Sequence, residues 1–370
     1  MTKKAKKSAH FFLKFLFFFN VIIGLGLLGA YLSTHFSPNT IPYIYYLGLG
    51  YPVLIGLTIA FLCFWLVFRR RYIWFNLIII IVGWNHLNHF FAFNISSNAP
   101  TANSIKVLSY NVRIFDLYNK KEKRKSSRDG IFNFLSKESS DITCFQEFYH
   151  QDGSTEFVTR DTLLKILRTP FFQERYTHKM LGNKYFGLAT FSKYPIVSSG
   201  EIGFDNDPNN FCIYSDIKRG EDTFRVYNAH LGSIRLQDKD YAFFGDQETG
   251  KIYQRNEEEQ MILTRLKLAY EKRAVQIEKV TDHVNGSPYP VIFCGDVNDT
   301  PVSYCYRQLN KSMNDAFVHS GNGIGTTYIG KIPSNRIDYI FYTDPFSASQ
   351  FKTHDVAFSD HKPISTVINF

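Results

Sequence analysis

An α/β domain with a sheet core covered by helices, preceded by three transmembrane helices, is the fold class predicted by this 370-residue sequence. Three observations predict it. Apolar stretches at about 11–32, 43–68 and 72–93 are each long enough to cross a bilayer, which takes about 20 residues. Beyond residue 104, short runs rich in β-branched and aromatic residues alternate with helical patterns. Polar residues then recur at the carboxyl ends of those runs, which is where open α/β sheets present side chains to ligands.

The membrane part comes first. Lys3, Lys4, Lys6 and Lys7 precede the first span, and Arg69, Arg70 and Arg71 separate the second from the third. The loop STHFSPNTIP and the segment NISSNAPTANS after the third span carry no Lys or Arg. The positive-inside rule therefore expects a cytoplasmic N-terminus, with everything after residue 94 outside the cytoplasmic membrane. The expected organisation is a membrane anchor over 1–95, a polar linker over 96–104 and a globular domain over 105–370.

This division accounts for the net charge of +9. Eight of the 42 basic residues and none of the 33 acidic ones lie in the first hundred, so 34 face 33 beyond it. A near-neutral globular domain removes the charge argument for a non-specific nucleic-acid binder. The five cysteines include no CxxC spacing, and no disulfide framework is expected.

Strands are expected at Ile105–Val112, Ile142–Glu147, Phe186–Ser192, Phe211–Ile217, Thr223–His230, Val291–Gly295, Ile337–Thr343 and Pro363–Ile368. Helices are expected at Arg128–Ser136, Phe157–Leu167, Glu257–His283 and Val302–Asn310. Two loops are long. The basic run over 119–128 reads as a solvated loop, or as a lip that contacts anions or the bilayer. The insertion over 234–260, directly after His230, reads as a lid or a surface excursion.

The chemistry lies at the strand ends: VLSYN closes on Asn111, ITCFQE on Glu147, RVYNAH on His230, and VIFCGDVN on Asp296 and Asn298. Asp338 sits in RIDYIFY, and FSDHKPI holds Asp360 and His361. Each residue alone has an ordinary reading: a turn cap, a surface charge, a core histidine, an Asx-turn. Their joint recurrence at five strand ends is too regular for turn chemistry.

With these motifs in order, the sequence resembles the endonuclease/exonuclease/phosphatase superfamily over about residues 104–370. The motifs are S-Y-N-V at 109–112, F-Q-E at 145–147, N-A-H-L at 228–231, G-D-V-N at 295–298, R-I-D-Y-I at 336–340 and S-D-H at 359–361. The resemblance implies a four-layer α/β/β/α sandwich and divalent-metal-dependent phosphoester hydrolysis. A hard cation with oxygen ligands offsets the charge of the phosphate. Glu147 is the expected metal carboxylate, with Asn111 and Asp360 adding oxygen ligands or hydrogen bonds. Asp296 would orient or deprotonate the attacking water, and Asn298 would hold that water or a phosphate oxygen. His230 and His361 would donate to non-bridging oxygens, and Asp338 would fix the His361 tautomer. Some nuclease members carry Asp two residues after the first Asn. Arg113 stands there instead, so one principal Mg²⁺ is expected, with Mn²⁺ as its substitute.

The expected function is a membrane-anchored phosphodiesterase. Its substrate would be a lipid headgroup, nucleic acid or a small phosphodiester. The alternatives are a nuclease on extracellular nucleic acid and a non-catalytic membrane receptor for phosphorylated ligands. Besides the bilayer, no obligate protein partner is expected.

Overall fold

The structure is a computed structural model. It describes every residue except 1–2, 95–100, 102, 154, 181–182, 206, 235–251 and 331–335. Most of the expected linker and most of the expected lid lie outside the described residues. The chain divides into two compact units, residues 1–90 with 300–307, and residues 91–299 with 308–370.

The first unit contains helices α1 (Lys3–Ser33), α2 (Tyr45–Leu49), α3 (Tyr51–Phe68), α4 (Ile73–Val82) and α5 (Trp84–Phe90). Two helices, His10–Ser33 and Tyr51–Phe68, are long and apolar enough to cross a membrane. The third expected span is corrected to two short helices of 10 and 7 residues that meet at Gly83. The Tyr31 ring lies against this glycine so closely that a Cβ would stand 1.9 Å from Tyr31 Cζ. A side chain there would have to displace the Tyr31 ring, and Gly83 departs from regular helical geometry. Polar groups among these apolar helices pair with one another. Asn20 Nδ2 donates to Asn76 Oδ1 at 2.8 Å, and Trp65 Nε1 donates to Asn20 Oδ1 at 2.7 Å. Phe11, Phe15, Leu25, Val67, Trp74 and Ile81 are exposed, whereas Asn20 and Asn76 are buried.

The second unit is built on strands β1 (Ala92–Phe93), β2 (Ser104–Asn111), β3 (Ile142–Gln151), β4 (Phe171–Met180), β5 (Lys184–Ser192), β6 (Ile196–Gly203) and β7 (Phe211–Arg219). The chain continues with β8 (Asp222–His230), β9 (Val291–Asp296), β10 (Asn314–Asp315), β11 (Asn322–Gly323), β12 (Asp338–Tyr342), β13 (Ser347–Thr353) and β14 (Ile364–Asn369). Two six-stranded sheets have the orders β13-β14-β2-β3-β5-β4 and β10-β12-β9-β8-β7-β6. Within them β2 pairs with β3, and β8 with β9, in parallel. Each parallel pair needs a crossover. Helix α6 (Lys121–Glu138) supplies the first, and α8 (Ile252–Asn285), which follows α7 (Thr159–Leu167), supplies the second.

The sheets pack face to face over Val107, Cys144, Val226, Ile292, Cys294 and Ile340. Helices α6 and α7 cover the outer face of the first sheet through Ile131, Leu135, Leu163 and Leu167. Helix α8 lies on the outer face of the second, where Tyr227 Oη meets His283 Nδ1 at 2.8 Å. Residues 121–127, read from sequence as loop, are the first turns of α6. Lys, Glu and Arg are good helix formers, and Arg124 and Arg128, four apart, both face Glu156. Residues 252–256, read as part of the lid, belong to α8.

The alternation of strand side chains places the site. The inward row of β2 runs Ile105, Val107, Ser109, Asn111. That of β3 runs Ile142, Cys144, Gln146, that of β8 Phe224, Val226, Asn228, His230, and that of β9 Ile292, Cys294, Asp296. Strand β12 runs the other way and reaches the same end with Asp338. Each row changes from apolar to polar toward one end of the space between the sheets, which makes that end of the core the candidate site.

Candidate functional site

Asp296 stands at its centre, at the end of β9. Its neighbours in register are His230 on β8 and Asp338 on β12. The parallel pairing is tight here: a Cβ on Gly295 would stand 2.8 Å from the Ala229 carbonyl oxygen, which explains the glycine before the aspartate. One Asp296 oxygen is committed to the local turn, because Asn298 N donates to Oδ1 at 2.9 Å. This is the Asx-turn that the motif also allowed. Asn298 takes the left-handed conformation, φ 55°, that Asn tolerates. The other oxygen, Oδ2, accepts from Asn111 Nδ2 at 2.9 Å and lies 3.6 Å from His230 Nε2 and 3.7 Å from His361 Nε2.

Glu147 arrives through a bulge. The register of β3 on β5 shifts between Phe145 and Phe148, and Glu147 has φ 48°. A bulge re-aims one side chain, and Glu147 Oε1 comes within 3.3 Å of Asn111 Nδ2 and 3.7 Å of His230 Nε2. Asn111 thus bridges Glu147 and Asp296 through its amide N–H groups. Its Oδ1 accepts from Arg113 N at 3.0 Å, so of the two roles expected for Asn111 the hydrogen-bonding one is seen.

His361 follows Ser359, whose Oγ donates to the Asn111 carbonyl at 2.8 Å and so ties the C-terminal motif to β2. His361 Nδ1 is 2.9 Å from Asp338 Oδ2. Burial works against the imidazolium, yet the Asp338 and Asp296 carboxylates beside it push its pKa up to about 10. Burial pushes the Asp296 and Asp360 carboxyls above their ordinary range, with Asp338 adding to the first and Glu147 to the second.

The pKa shift of His361 has a thermodynamic consequence. A histidine whose folded pKa exceeds its unfolded value of 6.5 contributes stability that is complete below about 6.5 and is lost as pH rises through about 10. The metal-free protein should therefore lose stability between those values. Asp338→Asn should flatten that slope, as followed by thermal unfolding across the pH range.

Asp360 sits at the rim, with Arg113 Nε 3.4 Å from its Oδ2. Arg113 begins a left-handed turn in which four successive residues, Arg113 to Asp116, have φ between 46° and 55°. Bulky residues rarely adopt this conformation. Arg113 Nη1 also lies 3.5 Å from Asp116 Oδ1. A cleft of about 670 Å³ opens beside Asp360, between Arg113, Asn119, Lys123, Tyr328 and Phe358.

The sequence reading missed the supports. Asn228, inside the N-A-H-L motif, reaches across from the second sheet. Its Nδ2 donates to the Ala189 carbonyl at 3.0 Å and the Phe145 carbonyl at 3.2 Å, and its Oδ1 accepts from Gln146 Nε2 at 2.8 Å. Thr327 Oγ1 accepts from Asp338 N at 3.2 Å. Arg336 Nη1 donates to buried Asp315 Oδ2 at 2.7 Å. Asn228 stood in the quoted N-A-H-L motif, which was its one available signal; Thr327 carried none.

The donor set suits a cation. Asp296, Asp338 and His361 bring ligand-type atoms within 4.8 Å of one another. His361 Nδ1 is engaged by Asp338 Oδ2, and its Nε2 faces Asp296 Oδ2 at 3.7 Å, a placement that suits a hydrogen-bond donor. The carboxylates Glu147, Asp296 and Asp360, crowded and two of them raised in pKa, are the oxygen donors that a hard divalent ion would satisfy. Buried His230 Nε2, which has no hydrogen-bond partner, points to a polar ligand at the same place.

A family profile described as Endonuclease/Exonuclease/phosphatase family matches residues 108–361. A profile described as a domain of unknown function, DUF8431, matches residues 13–90. Among solved structures, the chain is similar to an endonuclease/exonuclease/phosphatase from Beutenbergia cavernae, with 16% identity, 72% of each chain covered and a TM-score of 0.50. It is also similar to an endonuclease/exonuclease/phosphatase family protein from Leptotrichia buccalis, with 14% identity, 72% of this chain and 100% of the other covered, and a TM-score of 0.50. No curated protein matches the chain.

Proposed function

The chain belongs to the endonuclease/exonuclease/phosphatase family and is a hydrolase of that type, and from this premise we propose that it is a membrane-anchored phosphodiesterase acting outside the cytoplasmic membrane. The observation that carries the proposal is the meeting of Asn111, Glu147, His230, Asp296 and the Asp338–His361 pair at the polar end of the core between the sheets.

Glu147 and Asp360 would hold one Mg²⁺, for which Mn²⁺ can substitute. Bound there, the ion supplies charge neutralisation for the phosphate and for the developing negative charge. The protein's own groups do the rest. Asp296 Oδ2 orients the attacking water and takes its proton. His361, kept protonated by Asp338, donates from Nε2 to a non-bridging oxygen, and His230 Nε2 does the same from the other side. Asn111 keeps Glu147 and Asp296 apart by donating to both. Asn298 closes the turn under Asp296. Arg113 fixes the Asp360 carboxylate with a cation of its own, which favours a single principal ion.

Anchoring rests on the inverted surface of the first unit, where large apolar side chains face outward and Asn20, Asn76 and Trp65 pair inside. Lipid offers no partner for such amides, so they turn inward. With Arg69–Arg71 on the cytoplasmic side, α4 and α5 would complete the return to the outer side. A phospholipid headgroup ranks first as substrate. The basic face of α6 is partly neutralised, since Arg124 and Arg128 engage Glu156, and this weakens the case for nucleic acid.

The test is a panel of phospholipids in vesicles, single- and double-stranded DNA, and inositol phosphates, offered to the detergent-solubilised full chain with Mg²⁺. Release of a phosphorylated headgroup is the expected result. Turnover of monoesters or of DNA alone would overturn the substrate class.

A further inference from the structure

The segment after catalytic His230 has almost all of its backbone held by side chains from other elements. Asn210 Nδ2 donates to the His230 carbonyl at 3.1 Å and to the Leu231 carbonyl at 3.0 Å. Leu231 N donates to the Asp296 carbonyl at 3.0 Å, and Asn298 Nδ2 donates to the Leu231 carbonyl at 2.9 Å. Gly232 is gripped at both ends of its polar backbone. Its N–H donates to Gln276 Oε1 at 2.8 Å, and its carbonyl accepts from Arg273 Nη1 at 3.0 Å.

Arg273 and Gln276 are three residues apart on α8 and therefore share a face. Both are buried. Arg273 Nε also lies 3.7 Å from Asp299 Oδ2, one residue beyond Asn298. A buried guanidinium and a buried amide are costly in a helix–sheet interface where leucine would serve packing better. Their placement on the Gly232 peptide and the Asp299 turn points to a positional role. We propose that Arg273 and Gln276 are positioning residues: they fix the Gly232 peptide and the Asp299 turn together, and so set the distance between the His230 imidazole and Asp296. The proposal rests on the phosphodiesterase reading for its kinetic arm alone.

The test uses the full-length chain with bis(p-nitrophenyl) phosphate and Mg²⁺. Gln276→Leu preserves size and removes the acceptor, whereas Arg273→Gln risks unfolding. Displacing His230 by a fraction of an ångström should lower kcat about 10- to 100-fold with KM nearly unchanged. Gln276→Glu, which restores an acceptor, should recover most of it. In a His230→Ala background Gln276→Leu should cost nothing further, because the clasp acts through that imidazole. An additive loss in that background, or a fall that merely tracks the melting temperature, overturns the proposal. Amide hydrogen exchange over residues 228–234 decides it independently of turnover. Faster exchange in Gln276→Leu and not in Gln276→Glu is expected, and unchanged exchange overturns the clasp. A wild type without phosphodiesterase activity would instead refute the functional reading.

Discussion

Asp296→Asn should lower kcat for phosphodiester hydrolysis by about 10²- to 10⁴-fold while the chain stays folded. The substitution is nearly isosteric. Oδ1 can still accept from Asn298 N and close the turn. What is lost is the charge and basicity of Oδ2, the oxygen that Asn111, His230 and His361 surround. Because burial makes ionised Asp296 costly in the metal-free protein, removing its charge should not lower the melting temperature. Steady-state kinetics beside a thermal melt checks both halves. A loss of turnover accompanied by unfolding would mean that Asp296 is structural.

His361→Ala should cost about 10²- to 10³-fold in kcat, the range for one donor to a developing oxyanion. Its effect on KM should be smaller, since the hydrogen bond strengthens as charge develops. Unlike Asp296→Asn, this variant leaves Asp338 buried without its imidazolium, so a lower melting temperature is expected as well. Asp338→Asn separates the two effects. It retains a side chain beside Nδ1 but withdraws the carboxylate that holds His361 protonated. Its kcat should fall less than that of His361→Ala, and the fall should grow as pH is raised. A pH-independent loss equal to that of His361→Ala would contradict the role given to the pair.

Asn111, His230 and Asp296 were legible because they are the last members of inward strand rows. A row that reads Ile, Val, Ser, Asn in β2 or Phe, Val, Asn, His in β8 announces both the core and where it ends. Positions opposite one another across two sheets were not legible. Gln146 and Asn228 meet only once the sheets are stacked, and the clasp on Gly232 joins residues more than 40 positions apart. Three full strands escaped the sequence reading: β4, β6 and β13, each at the edge of its sheet. Edge strands face solvent and carry the polar residues and glycines that blur a strand pattern, as IVSSGEIG does in β6. The bulge at Glu147 was hidden too, because FQE reads as an unbroken strand. In the apolar N-terminal unit, length and hydropathy alone suggested three continuous spans. The break at Gly83, where the Tyr31 ring packs, leaves no mark on hydropathy.

The central claim is that these side chains form one metal-dependent centre for phosphodiester hydrolysis. Its most direct test is p-nitrophenol release from bis(p-nitrophenyl) phosphate by the purified full-length chain. Release should cease on chelation, return with added Mg²⁺, and be absent from Asp296→Asn under both conditions. A wild-type chain no faster than Asp296→Asn with Mg²⁺ present would contradict the account and leave a protein that binds phosphorylated ligands without cleaving them.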